Sequence, residues 1–443
     1  MIKKNKMFLK FILGVFFVSS AGIVLPQKAF ADVPRLGGQD RYQTSSKISQ
    51  SGWDTSDYVV LASGENYPDA LCAAPIAKKY SAPILLTTSK TLNGDIKDEI
   101  TRLKAKHVIE IGGTASISDD IENELKTMGL DPQRIGGQDR FETSVKVAEA
   151  LGTVTNAVVT SAYGFADALS IAPIAASENI PILLTGSGSL PDVVKNYISE
   201  NASSIKSSYV IGGNAVISDN VVSELPSAER ISGQNRFETN VNVLNYFKDK
   251  IKFDNLYVVQ ADGPTGNEFA DALSTSVLAA KTASPIILTY NSVSLQTENF
   301  LKANAAQDAK VTAIGGIIAV PESIVSSLQD ILDGKIPENP APGADGSQSD
   351  YDIFSSALEK LKTIDTSSSL SLNDTQKEII SDTITSIGKY VANSSYNYKQ
   401  DAPNIEALYN TLSESQKSNL KSVIVNSGIT PAEGFTLIDK FGL

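Results

Sequence analysis

The sequence predicts an α/β protein of three tandem parallel-sheet α/β repeats, followed by a C-terminal all-α domain. Three observations carry that reading. One ten-residue block recurs three times, at spacings of 99 and 96 residues. Within each copy, short β-rich apolar runs alternate with amphipathic stretches. Beyond residue 350 the apolar runs disappear and only helix-start signals remain. Copies of about 100 residues are domain-sized, well above the 20 to 50 residues of a solenoid repeat.

The block reads Arg35-Leu-Gly-Gly-Gln-Asp-Arg-Tyr-Gln-Thr44 and returns as Arg134-Ile-Gly-Gly-Gln-Asp-Arg-Phe-Glu-Thr143 and Arg230-Ile-Ser-Gly-Gln-Asn-Arg-Phe-Glu-Thr239. Further marks follow in the same order. Tyr67-Pro-Asp-Ala-Leu71 matches Phe165-Ala-Asp-Ala-Leu169 and Phe269-Ala-Asp-Ala-Leu273. Pro83-Ile-Leu-Leu-Thr87 matches Pro181-Ile-Leu-Leu-Thr185 and Pro285-Ile-Ile-Leu-Thr289, and Ile111-Gly-Gly113 matches Ile211-Gly-Gly213 and Ile314-Gly-Gly316. The copies span 32–131, 132–227 and 228–333.

In the first copy, 58–62, 83–87 and 108–111 are short, nearly continuous apolar runs, as expected of strands buried on both faces. Residues 95–103 place Ile96, Ile100 and Leu103 on one helical face. Alternating strands and helices give a parallel sheet covered by helices. The repeated blocks then fall where strands end and helices begin, the usual ligand side of open α/β sheets.

The chain opens with a basic Met1–Lys6 segment, an apolar run from Phe11 to Leu25, and Ala29-Phe30-Ala31. These mark residues 1–31 as a secretory signal peptide cleaved after Ala31. The run is too short for the roughly 20 residues a spanning helix needs. Cleavage removes Lys3, Lys4, Lys6, Lys10 and Lys28, leaving 33 basic against 50 acidic residues, a formal charge of −17. Such a balance excludes generic nucleic-acid binding. Cys72 lies far from the new N-terminus, so lipidation there is excluded, and no later run is long enough to span a membrane. One His and one Cys leave no Cys/His zinc site and no disulfide framework. No metal and no cofactor are expected.

Taken together, the triplicated blocks resemble the clostridial cell-wall-binding repeat 2 family over about residues 33 to 330. The resemblance implies three α/β units in a pseudo-threefold arrangement. It also implies non-covalent attachment to an anionic secondary polysaccharide of the Gram-positive wall, with surface-layer proteins as further partners. That agrees with the absence of any other anchor in the sequence.

Each repeated residue has a competing structural explanation. Asp40 with Gln43, Asp139 with Glu142 and Asn235 with Glu238 have the spacing of capping boxes. Asp69, Asp167 and Asp271, ahead of Ala-Leu, read as helix N-caps or as ligand contacts. The pairs Arg35/Arg41, Arg134/Arg140 and Arg230/Arg236 offer bidentate guanidinium sites for phosphate or carboxylate in an acidic protein. Equally, they are suited to ion pairs inside the fold. Pro83, Leu86, Pro181, Leu184, Pro285 and Leu288 read as core strand, and the family resemblance adds them as a groove wall. Ile-Gly-Gly lacks the spacing of a dinucleotide loop.

Two possible catalysts fail the repeat test. Cys72 aligns with Ser170 and Ser274, and His107 with Ser207 and Lys310. No carboxylate pair stands outside the capping explanation, so no acid and base of a glycosidase can be named. The third copy departs most, with Ser232 for Gly, Asn235 for Asp, and an insertion at 263–268.

Residues 334–349 are Pro/Gly/Ser-rich and read as a linker. The helical domain, 350–443, carries cap-plus-N3 spacings at Asn373/Gln376, Ser413/Gln416 and Thr430-Pro431/Glu433. Ile379, Ile380, Ile384, Ile387 and Val391 form one apolar face, and 372–377 resembles 412–417. Tyr390, Tyr396, Tyr398 and Tyr409 are either core or a contact patch. The functional expectation is a secreted, wall-anchored binding protein, not an enzyme. The rival is a wall-targeted enzyme or an adhesin whose activity lies in 350–443.

Overall fold

The structure is a computed structural model. It describes residues 34–262, 268–290 and 292–335, then chiefly 372–392 and 398–427, with scattered positions between 354 and 441. The expected signal peptide, most of the linker, residues 263–267 of the insertion, Tyr396 and the Thr430–Glu433 cap lie outside the described residues.

Three four-stranded parallel sheets form, one per copy. The first contains β2 (Tyr58–Ser63), β3 (Ile84–Thr87), β4 (His107–Ile111) and β5 (Asp131–Ile135), in the order β3-β2-β4-β5. The second repeats it with β6 (Asn156–Ser161), β7 (Ile182–Thr185), β8 (Ser207–Ile211) and β9 (Ala228–Ile231), ordered β7-β6-β8-β9. The third uses β10 (Asn255–Gln260), β11 (Ile286–Thr289), β12 (Lys310–Ile314) and β1 (Arg35–Leu36), ordered β11-β10-β12-β1.

The fourth strand of every sheet therefore carries the opening arginine of the next copy. Arg134 on β5 lies opposite Glu110 of the first sheet, and Arg230 on β9 opposite Val210 of the second. The third sheet is completed by β1, the first described strand, with Arg35 opposite Ala313 and Leu36 opposite Ile314. Strand exchange closes the three copies into a ring.

The helices follow from the apolar pattern. Helix α3 (Gly94–Leu103) buries Ile96, Ile100 and Leu103, the three positions the sequence marks. By contrast, α6 (Ala166–Ser177) and α10 (Ala270–Thr282) bury nearly every side chain, and α2 (Ala73–Lys79) resembles them. A helix that is apolar all round belongs inside a protein. These three Ala-rich helices pack on one another. Near their starts Tyr67, Phe165 and Phe269 form a triangle, with ring centroids 5.6, 5.6 and 6.4 Å apart. The pseudo-threefold arrangement is thus built from repeated small residues capped by three rings.

The outer edge strands β3, β7 and β11 lack a further strand on one side. A buried polar side chain covers each edge instead. Ser45 Oγ accepts from the Leu86 N–H at 3.2 Å, Ser144 Oγ from Leu184 N–H at 3.2 Å, and Asn240 Oδ1 from Leu288 N–H at 3.1 Å. An unsatisfied buried backbone donor is thereby avoided.

In the C-terminal part, helices span Asp374–Ala392, Ala402–Asn410 and Glu414–Asn426. Two capping boxes form as their spacing predicts. Asn373 and Gln376 exchange bonds of 2.8 Å each way, and Ser413 N–H donates to Gln416 Oε1 at 2.8 Å. Gln376 Nε2 donates to the Gln416 carbonyl at 2.7 Å, which ties the two related segments together. Ile379, Ile380 and Ile387 are buried in a separate apolar core with Phe354 and Phe441, and Ile384 and Val391 pack against it. Tyr398 and Tyr409 are buried there and Tyr390 packs on it, so these three belong to a core and not to a surface patch.

Candidate functional site at the seams

Each repeated block is a self-contained helix start. Helices α1 (Arg41–Gly52), α5 (Arg140–Leu151) and α9 (Arg236–Tyr246) begin at N-caps Asp40, Asp139 and Asn235. Asp40 accepts from the Gln43 N–H at 2.8 Å, Asp139 from Glu142 at 2.9 Å, and Asn235 from Glu238 at 2.9 Å. The side chains of Gln43, Glu142 and Glu238 reach back to the N–H of Gln39, Gln138 and Gln234. Thr44, Thr143 and Thr239 take the N–H of Gly38, Gly137 and Gly233, each at 3.0 Å. Asn works as well as Asp here because both present the same acceptor oxygen.

The two arginines of each block separate. Arg35, Arg134 and Arg230 clamp the exchanged strand to the neighbouring sheet. Arg35 donates to the carbonyls of Gly315 (3.0 Å) and Val320 (2.9 Å) and to Glu322 (2.6 Å). Arg134 donates to Gly112 O (3.2 Å), Ile117 O (2.8 Å) and Glu122 (3.1 Å). Arg230 donates to Gly212 O (2.7 Å) and Asp219 (2.9 Å). These are the internal bonds of the structural alternative.

Arg41, Arg140 and Arg236 point elsewhere. Each gives a bond to the end of its own copy's first strand, at Gly64 O, Ala162 O and Ala261 O respectively, and Arg236 is also paired with Asp262 at 3.4 Å. Arg41 stands over Phe269 and Arg236 over Phe165, rings of the preceding copy, while Arg140 stands over Tyr163. All three are half-buried, and a guanidinium has five donors to distribute. They lie at the carboxyl ends of the strands, where open α/β sheets bind ligands.

The aspartates Asp69, Asp167 and Asp271 do not cap helices. Asp69 has helical backbone angles and no capping bond, while Asp167 and Asp271 are the second residues of α6 and α10. Their carboxylates turn instead towards the Ile-Gly-Gly loop of their own copy. A Cβ on Gly112, Gly212 or Gly315 would stand 2.8, 2.8 and 2.3 Å from the respective Asp Oδ2. Those glycines also have φ of +111°, +127° and +96°, which side chains rarely adopt. The tight approach and the backbone together require glycine. We expect Gly212→Ala to lower the urea midpoint by an amount worth about 2–4 kcal/mol; an unchanged midpoint would show that the loop yields freely.

The aspartates differ between copies. In the first, Ser116 Oγ donates to Asp69 Oδ2 at 2.6 Å. Val216 and Ala319 occupy that place in the others. There burial pushes the Asp167 and Asp271 carboxyls up to about 6, opposed by Arg236 and Arg41 respectively. Arginine and aspartate from different copies thus act on one another at two of the seams, Arg236 on Asp167 and Arg41 on Asp271.

Pro83, Leu86, Pro181, Leu184, Pro285 and Leu288 are all buried. The structure places them under the surface, as core strand, rather than on a groove wall. Cys72 is buried and its Sγ–H donates to the Asp69 carbonyl, and burial pushes the thiol well above its usual range. His107 stacks on Tyr58 at 4.5 Å and lies 3.0 Å from Asp131.

The seam between the third and first copies holds a cleft of about 410 Å³, lined by Gln39, Arg41, Gln260, Asp271, Ile317 and Ile318 among others. Ile318 is 93% exposed and Ile317 65%. Sequence reasoning missed this cleft. Its signal was there: Ile317-Ile318 replaces Thr114-Ala115 and Asn214-Ala215 after the glycine pair.

Comparison with known proteins agrees with this architecture. N-acetylmuramoyl-L-alanine amidase LytC of Bacillus subtilis (strain 168) is 33% identical over 315 residues, 71% of this chain and 62% of LytC. The amidase enhancer of the same organism is 32% identical over 302 residues, 67% of this chain and 40% of its own length. The chain therefore spans less than two-thirds of these relatives. Among solved structures, Cwp6 from Clostridium difficile superposes with a TM-score of 0.63 at 30% identity, covering 70% of this chain and 49% of Cwp6. Cwp8 from Clostridium difficile gives 0.62 at 29%, covering 69% and 52%. The family model for cell wall binding domain 2 (CWB2) matches three times, at residues 35–122, 134–222 and 230–325, one match per repeated unit. The chain belongs to the cell wall binding domain 2 family.

Proposed function

We propose that this is a secreted cell-surface protein, held non-covalently to an anionic secondary wall polymer through its three seams, and displaying a small helical module. One observation carries the reading: each seam presents a half-buried guanidinium, Arg41, Arg140 or Arg236, at the carboxyl end of a sheet. The chain as a whole has 50 acidic against 38 basic residues. Overall charge therefore repels a polyanion, and attachment must rest on local donors of this kind. No described helix is long and apolar enough to cross a membrane.

The double variant Arg41→Ala/Arg140→Ala tests the reading. Retention on purified wall sacculi falls about tenfold or more, while the circular dichroism spectrum stays that of the wild type. Loss of the spectrum would assign these arginines to the fold instead.

The relation to LytC favours one second reading, a wall-targeted amidase with its chemistry in residues 350–443. That segment contains no His and no Cys, since the only ones are His107 and Cys72. Release of soluble wall fragments by the full-length protein would establish this reading. Surface-layer proteins are the partner class to test for the helical part, by comparing the full chain with one ending at 335 as bait.

A further inference from the structure

The three seam arginines Arg41, Arg140 and Arg236 are alike in sequence and unlike in their charged surroundings. Arg236 is paired with Asp262 at 3.4 Å and also acts on Asp167. Arg41 acts on Asp271, and Glu268 lines the same cleft. Arg140 has its bond to Ala162 O at 2.9 Å and its contact with the Tyr163 ring, and no ion pair among the described residues. The aspartate of its seam, Asp69, takes a hydrogen bond from Ser116 at 2.6 Å.

Two positions account for the difference. The residue after the carbonyl that receives each arginine is Glu65 in the first copy, Tyr163 in the second and Asp262 in the third. The residue before Tyr67, Phe165 and Phe269 is Asn66, Gly164 and Glu268. The seam between the first and second copies thus has Tyr163 and Asn66 where the seam between the third and first has Glu65 and Glu268. Tyr163 is 63% exposed, with Arg140 Cζ 5.5 Å from its ring centroid and Phe141 edge-on at 6.4 Å. The rings beside Arg41 and Arg236, Phe269 and Phe165, are buried. A ring face attracts a guanidinium without consuming its N–H donors. A carboxylate takes donors and offsets the charge. Arg140 therefore keeps both its charge and most of its five donors for an anion from outside.

We propose that the three seams are unequal, and that the seam between the first and second copies carries most of the attachment through Arg140 oriented by Tyr163. Attachment to an anionic wall polymer, as argued above, is presupposed; Tyr163 and the ranking of the seams are added to it. Each arginine is replaced singly in the full-length protein, and retention is measured on purified wall sacculi, intact and stripped of secondary polymer. Arg140→Ala lowers retention on intact sacculi about tenfold, and Arg41→Ala and Arg236→Ala about twofold each. Tyr163→Ala lowers it about threefold, with the melting temperature unchanged because the side chain is largely exposed. Tyr163→Asp leaves Arg140 and its bond to Ala162 O in place but gives it the carboxylate that Arg236 has, and retention falls about tenfold. Equal losses in the three arginine variants, or unaltered retention in Tyr163→Asp, overturn the ranking and leave polymer attachment standing. Wild-type protein held equally by intact and stripped sacculi overturns polymer attachment itself, and the ranking with it.

Discussion

Glu110→Val makes the protein more stable above pH 7 and removes much of the pH dependence of its unfolding. Glu110 is completely buried on β4, and its Oε2 lies 3.0 Å from Arg134 Nη2. Neither carboxylate oxygen has a hydrogen bond of acceptable geometry. Burial pushes the carboxyl up to about 7, against the pull of Arg134, with Glu122 adding to the rise. A group whose folded pKa exceeds its unfolded value stabilises the fold when protonated. Its contribution is therefore intact below about pH 4.5 and lost progressively as pH rises to 7. The loss amounts to about 3 kcal/mol. Valine removes the cost and is the residue at the matching position of the second copy, Val210, with Ala313 in the third. Arg134 is not stranded, because it keeps Glu122 and the carbonyls of Gly112 and Ile117. Urea midpoints of variant and wild type converge near pH 4.5 and separate by pH 8. A variant less stable than wild type at pH 8 would mean that the Glu110–Arg134 pair is net favourable, contrary to the burial argument.

Arg35→Ala opens the ring at its closure. Strand β1 is two residues long and contributes two paired positions, so backbone bonding alone holds it weakly. Arg35 adds bonds to Gly315, Val320 and Glu322, which are more than 270 residues away in the chain. Their loss costs about 2–4 kcal/mol. The effect is local, because all three bonds of the Arg35 side chain end in the third copy. Protection from hydrogen exchange falls at Ala313 and Gly315, whose N–H groups donate to Pro34 O and Leu36 O. The first and second sheets keep theirs. Arg134→Ala, by contrast, acts on β5, which pairs with β4 at five positions against two for β1. Unchanged protection at Ala313 and Gly315 in Arg35→Ala would show that the clamp does not carry the closure.

Much of this was legible in the sequence because the same solution was written three times. The strands at 58–62, 83–87 and 108–111 were visible as apolar runs, and the α3 face as Ile96, Ile100 and Leu103. The caps at Asp40, Asp139 and Asn235 were visible as a spacing. Strand exchange was not, because a repeat in sequence says where a unit recurs and not which neighbour completes its sheet. Asp69, Asp167 and Asp271 were misread as N-caps for a related reason. Their true partner, the glycine after β4, β8 or β12, is more than 40 residues away and has no side chain to announce it. The division between Arg35-type clamps and Arg41-type seam residues also depends on the exchanged strand. The first arginine is carried by that strand, and the second begins the helix after it.

The measurement that tests the central claim most directly is binding of the purified full-length protein to wall sacculi before and after their secondary polymers are stripped. Attachment through an anionic secondary polymer predicts strong retention on intact sacculi and its loss on stripped ones. Equal retention on both would place the ligand in the peptidoglycan itself and contradict the account.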